Sequence, residues 1–240
     1  MEIRDKVAIV TGASAGIGAA TVMELARAGA RLVLAARSAD ALSRLAGSLN
    51  AEGHEAIAVP TDMRDAGQVQ AMVQAARKKF GRVDILINNA GQAAAGLVAD
   101  VALSDFRQII ELNVYGPLLA MQAVIPLMKE AGGGVIVNIS SMVSKLHIPG
   151  LGAYAATKAA LNLLSETARY ELENDKIKVI TMFPRTTATD FGKNSIGNQG
   201  LRQRQRNAAS GSVPVDPPEA VAKKIVEAIT GDLAEQYMDR

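Results

Sequence analysis

Val7-Ala8-Ile9-Val10-Thr11-Gly12-Ala13-Ser14-Ala15-Gly16-Ile17-Gly18 decides the fold. Its first four residues are an unbroken apolar run, as a strand covered on both faces requires, and the run stops at Thr11-Gly12. From Ile17 to Ala28 the apolar residues recur at helical spacing until Gly29 ends the pattern, and Arg31-Leu32-Val33-Leu34 then begins a second strand. Strand, glycine-rich turn, helix and strand make a βαβ unit, whose parallel strands need a right-handed crossover.

The alternation continues outward from that unit. The pattern predicts helices over 39–51, 66–80 and 103–129, strands over 55–59, 83–87, 135–139 and 178–183, and a helix starting near Tyr154. Such a chain is α/β: a doubly wound parallel sheet with helices on both faces. Gly116-Pro117 and Pro126 fall inside the longest helix, so a kink or break is expected there. Residues 186–218, rich in Gly, Asn, Gln, Ser and Arg, are too long for a plain connector and read as a mobile substrate lid.

Composition narrows the function. With 240 residues, 49% of them hydrophobic, and no Pro/Ser-rich linker, a single domain spanning residues 1–240 is expected. The 26 Lys and Arg against 24 Asp and Glu leave a formal charge of +2, too small to imply a nucleic-acid partner. Cysteine is absent, which excludes disulfides and thiolate catalysis, and His54 and His147 form no metal-ligand cluster, so no metal is expected. Met1 to Lys6 is charged and runs straight into a strand, with no signal peptide and no apolar stretch judged long enough to span a bilayer. The expectation is a cytoplasmic chain without membrane contact.

The amides of the glycine turn and the positive helix end can face a pyrophosphate, although a similar turn can serve structure alone. Its spacing is Gly-x-x-x-Gly-x-Gly. Asn88-Asn89-Ala90-Gly91 follows the fourth strand, Asn113 lies in the long helix, Ser141 follows the fifth strand, and Tyr154-Ala155-Ala156-Thr157-Lys158 opens the next helix. In this order and spacing, over residues 5 to 190, the chain resembles the short-chain dehydrogenase/reductase (SDR) family.

The resemblance implies a Rossmann-type sheet and a nicotinamide dinucleotide. It sets Gly12, Ser14, Gly16, Ile17 and Gly18 in the phosphate turn, Asp62 and Met63 at the adenine, and Asn89, Ala90 and Gly91 along the adenosine ribose. Pro184, the Thr187 backbone and the Thr189 hydroxyl fall beside the nicotinamide, and Lys158 on its ribose. Asp62 could equally cap the helix that follows it. At the end of the second strand an acidic residue would bind the ribose of NAD and repel a 2′-phosphate. Here Ala36-Arg37 stands in its place, and a guanidinium can grip phosphate, so NADP(H) is expected over NAD(H). The alternative for Arg37 is a solvated surface charge, and Ala15 stands where NADP-preferring relatives often carry a second basic residue.

Tyr154 and Lys158 are four apart on one helix face. A phenol of ordinary pKa about 10 becomes a base near neutrality only with about 4 kcal/mol of differential stabilisation. One ammonium about 4 Å away supplies that at an effective dielectric of about 20. Ser141 would polarise a carbonyl, with Ser140 as the competing hydroxyl, and Asn113 either anchors a water leading to Lys158 or satisfies the helix backbone beside the kink. The implied activity is NADP(H)-dependent interconversion of a ketone or aldehyde and an alcohol, with Tyr154 as proton donor or acceptor.

Val143, Leu146, His147, Leu151 and Phe191 are candidate pocket residues for a small, mostly apolar carbonyl or alcohol substrate. The alternative activity is 3-oxoacyl-[acyl-carrier-protein] reduction, although this carboxyl end lacks the Gly-Gly strand of many such relatives. A non-catalytic dinucleotide-binding regulator would usually have lost the Tyr or the Lys. The resemblance also implies a homodimer or homotetramer paired through the long helix and the Tyr154 helix. Lys193, Arg202, Arg204 and Arg206 make the expected lid basic. Arg185 replaces the usual glycine after Pro184, which bears on the backbone there and on the charge of the pocket.

Overall fold

The structure, a computed structural model, describes residues 1–198, 215–231 and 233–239. Strands β1 (Val7–Thr11), β2 (Arg31–Ala36), β3 (Ala56–Pro60), β4 (Ile85–Asn88), β6 (Gly134–Ile139), β7 (Ile177–Phe183) and β9 (Glu235–Tyr237) form one sheet in the order β3-β2-β1-β4-β6-β7-β9. Every pairing is parallel. Two-residue strands β5 (Ala94–Ala95) and β8 (Ile196–Gly197) pair separately. The helices are α1 (Gly16–Arg27), α2 (Ala39–Ala51), α3 (Ala66–Phe80), α4 (Leu103–Ile110), α5 (Gly116–Glu130), α6 (Gly152–Glu171) and α7 (Pro218–Thr230).

Alternate strand residues face opposite cores, which explains why the inner strand β1 and most of β2, β4 and β6 are apolar on both faces. Ala8 and Val10 point to one side, among Val22 and Leu25 of α1, Leu42 and Leu49 of α2, and Ile225 and Ile229 of α7. Val7 and Ile9 point to the other, among Met72 and Val73 of α3 and Met121, Val124 and Met128 of α5. The strand order reverses direction between β1 and β4, and there the carboxyl ends of the strands open a crevice.

The long helix is divided where the sequence pattern expected an interruption. A π turn, Glu111–Tyr115, joins α4 to α5 directly before Gly116-Pro117, whereas Pro126 lies inside α5. Gly116 N–H donates to the carbonyl of Glu111, five residues back, and Pro117 has no N–H to offer, so the carbonyl of Asn113 lacks its ordinary helical donor. Residues Leu103–Glu130 are also, by length and composition, apolar enough to cross a bilayer, contrary to the sequence reading. Their apolar residues Met121, Val124 and Met128 are buried in the protein core.

Asp84 carries a structural role that the sequence did not reveal. It is 1% exposed, accepts from the Val7 amide at 2.9 Å, and is gripped by Arg82 at 2.6 to 3.0 Å. The carboxylate thus locks the start of β1 to β4. Asp84→Asn turns an amide N–H₂ toward Arg82 and is expected to cost about 2 kcal/mol, read as a lower urea midpoint at unchanged slope.

Of the expected lid, residues 186–198 and 215–218 are described; Arg202, Arg204 and Arg206 lie outside the described residues. Lys193 pairs with Asp190 at 2.5 Å on the surface, so its charge is locally answered.

Candidate active site

Glycine is required in the β1–α1 turn by geometry. Gly12 and Gly16 have φ of +64° and +55°, a region that L side chains rarely adopt. A Cβ on Gly12 would stand 2.7 Å from Asn89 Nδ2, and one on Gly18 only 2.2 Å from the Gly12 carbonyl oxygen. Asn89 closes the turn from β4: its side chain donates to the carbonyls of Thr11 and Gly12 at 2.8 and 3.3 Å, while Thr11 Oγ1 accepts from the amides of Asn89 and Ala90 at 3.0 Å. Helix α1 starts without a side-chain cap and without an acidic residue in its first turn. Its terminal N–H groups therefore face the crevice unanswered by the chain, over backbone with no Cβ in the way, which fits an anionic pyrophosphate. Ser14 and Ile17 are half-buried in the same turn.

At the far end of the crevice, Arg37 is exposed just past β2, and its charge, with that of Arg64, bears on Asp62. Arg64 binds the Asp62 carboxylate at 2.5 to 3.2 Å and holds its pKa down at about 2. Asp62 is not the cap of α3. Asp65 is, accepting from the Gln68 amide at 3.0 Å. Met63 is 4% exposed and its side chain packs in the core, so only its backbone can line the crevice.

Tyr154 and Lys158 project from the first turns of α6, both buried. Burial pushes the Tyr154 phenol above its usual pKa, opposed by its hydrogen bond with Ser141. Lys158 is driven down to about 8 by burial, and its Nζ donates to the Ile139 carbonyl at 2.7 Å. That Nζ stands 6.0 Å from the Tyr154 ring centroid. Burial, which favours the neutral phenol, is the largest influence on Tyr154, ahead of the hydrogen bond with Ser141.

Ser141 is set by the 3₁₀ turn Met142–Lys145 that follows β6, with Oγ accepting from the Val143 amide at 3.2 Å. The rival Ser140 is buried and bound to Asn162, which separates the two hydroxyls cleanly. Asn113 sits in the π turn with its side chain fully engaged: it accepts from Gln92 N at 2.9 Å and donates to Gln92 O at 2.8 Å and Thr157 Oγ1 at 3.0 Å. It does not bond Lys158. A Cβ on Gly91 would meet both Asn113 Oδ1 and Lys158 Nζ, at 3.2 and 3.6 Å, so the glycine lets the two groups share one small space.

The segment after β7 completes the crevice. Pro184 O accepts from Met142 N at 3.0 Å, tying this segment to the Ser141 turn. The Thr189 methyl lies 3.0 Å from where a Gly16 Cβ would be, and its hydroxyl accepts from Phe191 N at 3.3 Å. Thr187 Oγ1 donates to Arg185 O at 3.1 Å. Arg185 has no positive φ, so the backbone here does not demand the glycine it replaces. Its guanidinium pairs with Asp216 and brings no unpaired charge to the pocket.

Around the phenol the surroundings are apolar. Val143 is buried with Tyr154, Leu151 packs against them, and the Phe191 ring lies 5.9 Å from the tyrosine ring. Leu146 and His147 are exposed, as are Leu97, Val98 and Ile148, and nothing local in the sequence ties residues 96–98 to 148–152. The link is tertiary: Gly96 N donates to Gly150 O at 3.0 Å, and Val98 approaches Gly152.

Comparison with known proteins agrees with this geometry. A family model described as short chain dehydrogenase matches residues 6–199. The mouse (Mus musculus) dehydrogenase/reductase SDR family member 7B is 35% identical over 240 residues, 96% of this chain and 74% of that protein. A short chain dehydrogenase/reductase from Burkholderia phymatum, solved in complex with NAD, superposes with a TM-score of 0.91 at 30% identity, covering 99% of this chain and 90% of that one. L-sorbose reductase from Gluconobacter frateurii, solved with NADPH and L-sorbose, gives 0.87 at 29% identity, covering 100% and 97%. With its parallel sheet, its glycine turn and its tyrosine and lysine on one helix, the chain belongs to the short-chain dehydrogenase/reductase family of oxidoreductases.

Proposed function

We propose that the protein is an NADP(H)-dependent reductase of apolar ketones or aldehydes, working in the cytoplasm. The observation that carries this reading is the buried Tyr154 phenol, hydrogen-bonded to Ser141 within an apolar cluster beside the glycine-lined crevice. Gly12 to Gly18 and the α1 terminus would hold the pyrophosphate, Asp62 the adenine, Asn89 to Gly91 the adenosine ribose, and Lys158, Thr187 and Thr189 the nicotinamide end. Bound there, the nicotinamide supplies the hydride.

The chain's own residues handle the proton. Ser141 Oγ and Tyr154 Oη hydrogen-bond a carbonyl oxygen, and Tyr154 passes its proton to that oxygen as negative charge develops. Lys158, titrating at about 8, returns a proton to the phenolate. The Asn113 carbonyl, whose i+4 position is a proline without an N–H, would hold a water on the path from Lys158 to solvent. Val143, Leu151 and Phe191 exclude bulk water from the reacting atoms.

Preference for the 2′-phosphate rests on Arg37, exposed where an acidic residue would reject it. NADPH is expected to bind the wild type roughly 10-fold or more tightly than NADH, since a charge-assisted grip on phosphate is worth about 1.5 kcal/mol or more. Arg37→Ala should erase most of the difference in calorimetric titrations. Equal affinities in the wild type would refute NADP(H) preference, and no oxidation of NADPH across a panel of ketones and aldehydes would refute the activity.

A further inference from the structure

Residue 185 is where the family resemblance leads one to expect glycine, and the arginine found there is committed to a specific partner. Its guanidinium meets Asp216, 31 residues on, in a fork: Nε to Oδ2 at 3.1 Å and Nη2 to Oδ1 at 2.8 Å. Both side chains are shielded, at 28% and 12% exposure. The backbone closes around the same contact. Asp216 N donates to Thr186 O and Ala188 N donates to Asp216 O, each at 2.9 Å, in a parallel bridge between Thr187 and Asp216.

Asp216 is itself held. Two prolines follow it and start α7, whose Val221 and Ile225 share a core with Val22 and Leu25 of α1. Helix α1 begins at the glycine turn, and Thr189 leans on Gly16 of that turn. A ring is thereby closed: glycine turn, α1, α7, Asp216, Arg185, Thr187 to Thr189, and back to the glycine turn. The other end of the segment is tied through Pro184 O to Met142, next to Ser141.

We propose that Arg185 and Asp216 are positioning residues that set Thr187 and Thr189 for the nicotinamide end of the cofactor, a role that rests on the cofactor reading above. A bidentate guanidinium–carboxylate pair fixes direction as well as distance, which a glycine could not do and a lysine does only in part. The fork holds the backbone from 186 to 189 in the one arrangement that faces Gly16, before any cofactor arrives, so that binding does not have to order it.

The test is calorimetric titration of NADPH into the wild type, Arg185→Gln, Asp216→Asn, the double variant and Arg185→Lys, with hydrogen exchange at the Ala188 amide in the cofactor-free proteins. Each neutral single variant is expected to bind about 10-fold more weakly and to exchange faster at Ala188. The double variant should be no worse than either single, because one contact is lost only once, whereas unrelated structural damage would multiply to about 100-fold. Arg185→Lys, the mildest change and the safeguard against misfolding, should lose about 3-fold. Normal NADPH binding by the wild type with unchanged affinity and Ala188 exchange in the variants overturns the proposal. So does a multiplicative double variant. Failure of the wild type to bind either NADPH or NADH overturns the cofactor reading itself, and the positioning role with it.

Discussion

Tyr154→Phe is expected to lower the reduction rate by about 1,000-fold with little change in stability or in dinucleotide affinity. General acid catalysis is typically worth 10²- to 10⁴-fold, and the Ser140 and Thr157 hydroxyls are committed to other partners. Ser140 is tied to Asn162, and Thr157 Oγ1 donates to Tyr154 O at 2.8 Å. Ser141 remains in the variant and still donates to the substrate oxygen, so a residual rate above the uncatalysed one is expected. The fold tolerates the change because the ring sits among Ala94, Ile109 and Val143, which do not use the hydroxyl. Steady-state rates with any accepted ketone, beside a thermal melt and an NADPH titration, check all three parts. Near-normal turnover would exclude Tyr154 as the proton donor.

Lys158→Met should separate activity from stability in opposite directions. Its ammonium is buried and donates to the Ile139 carbonyl, and burial brings its pKa from 10.5 to about 8. The unfolded chain therefore holds a proton on this group between pH 8 and 10.5 that the folded chain releases, so stability rises with pH across that window and the full cost of the buried charge is felt below it. That cost corresponds to roughly 3 kcal/mol. The cofactor-free Met variant should be more stable than the wild type at pH 7 by up to about that amount, with the gap closing toward pH 10.5. Its reduction rate should fall by about 100-fold or more, and the wild-type rate should itself decline above pH 8 as Lys158 loses its proton. Urea titrations at pH 7 and 9.5 read the stability difference; a Met variant less stable than the wild type at pH 7 would show that the charge is well compensated.

Much of this was legible in the sequence because the signals are local. The apolar runs of β1, β2, β4, β6 and β7, the glycines at 12, 16 and 18, and the spacing of Tyr154 from Lys158 each lie within one or two turns of chain. The short strands β5, β8 and β9 were not legible, since two or three residues carry no periodicity. Other misses came from contacts between distant residues. The Asp84 lock joins β1 to β4 across 77 positions, Arg185 and Asp216 are 31 apart, and the acceptor of Lys158 is a main-chain carbonyl that any residue could supply. The spacing argument was right that Tyr154 and Lys158 share a face. It could not weigh the desolvation that raises the phenol's pKa.

The π turn also fixes the phase of the long helix. A turn of π geometry takes up about one residue more than an α turn, so the residues after it are rotated by roughly 100° relative to an unbroken α-helix. Ile109, before the turn, packs beside Tyr154, whereas Met121, Val124 and Met128, after it, pack on the sheet. The extra residue works as a gear offset: one continuous rod presents one side to the reacting groups and another to the core, and Asn113 stands at the point where the two settings meet. Removing a single residue here would leave both halves helical yet turn one of them away from its partner.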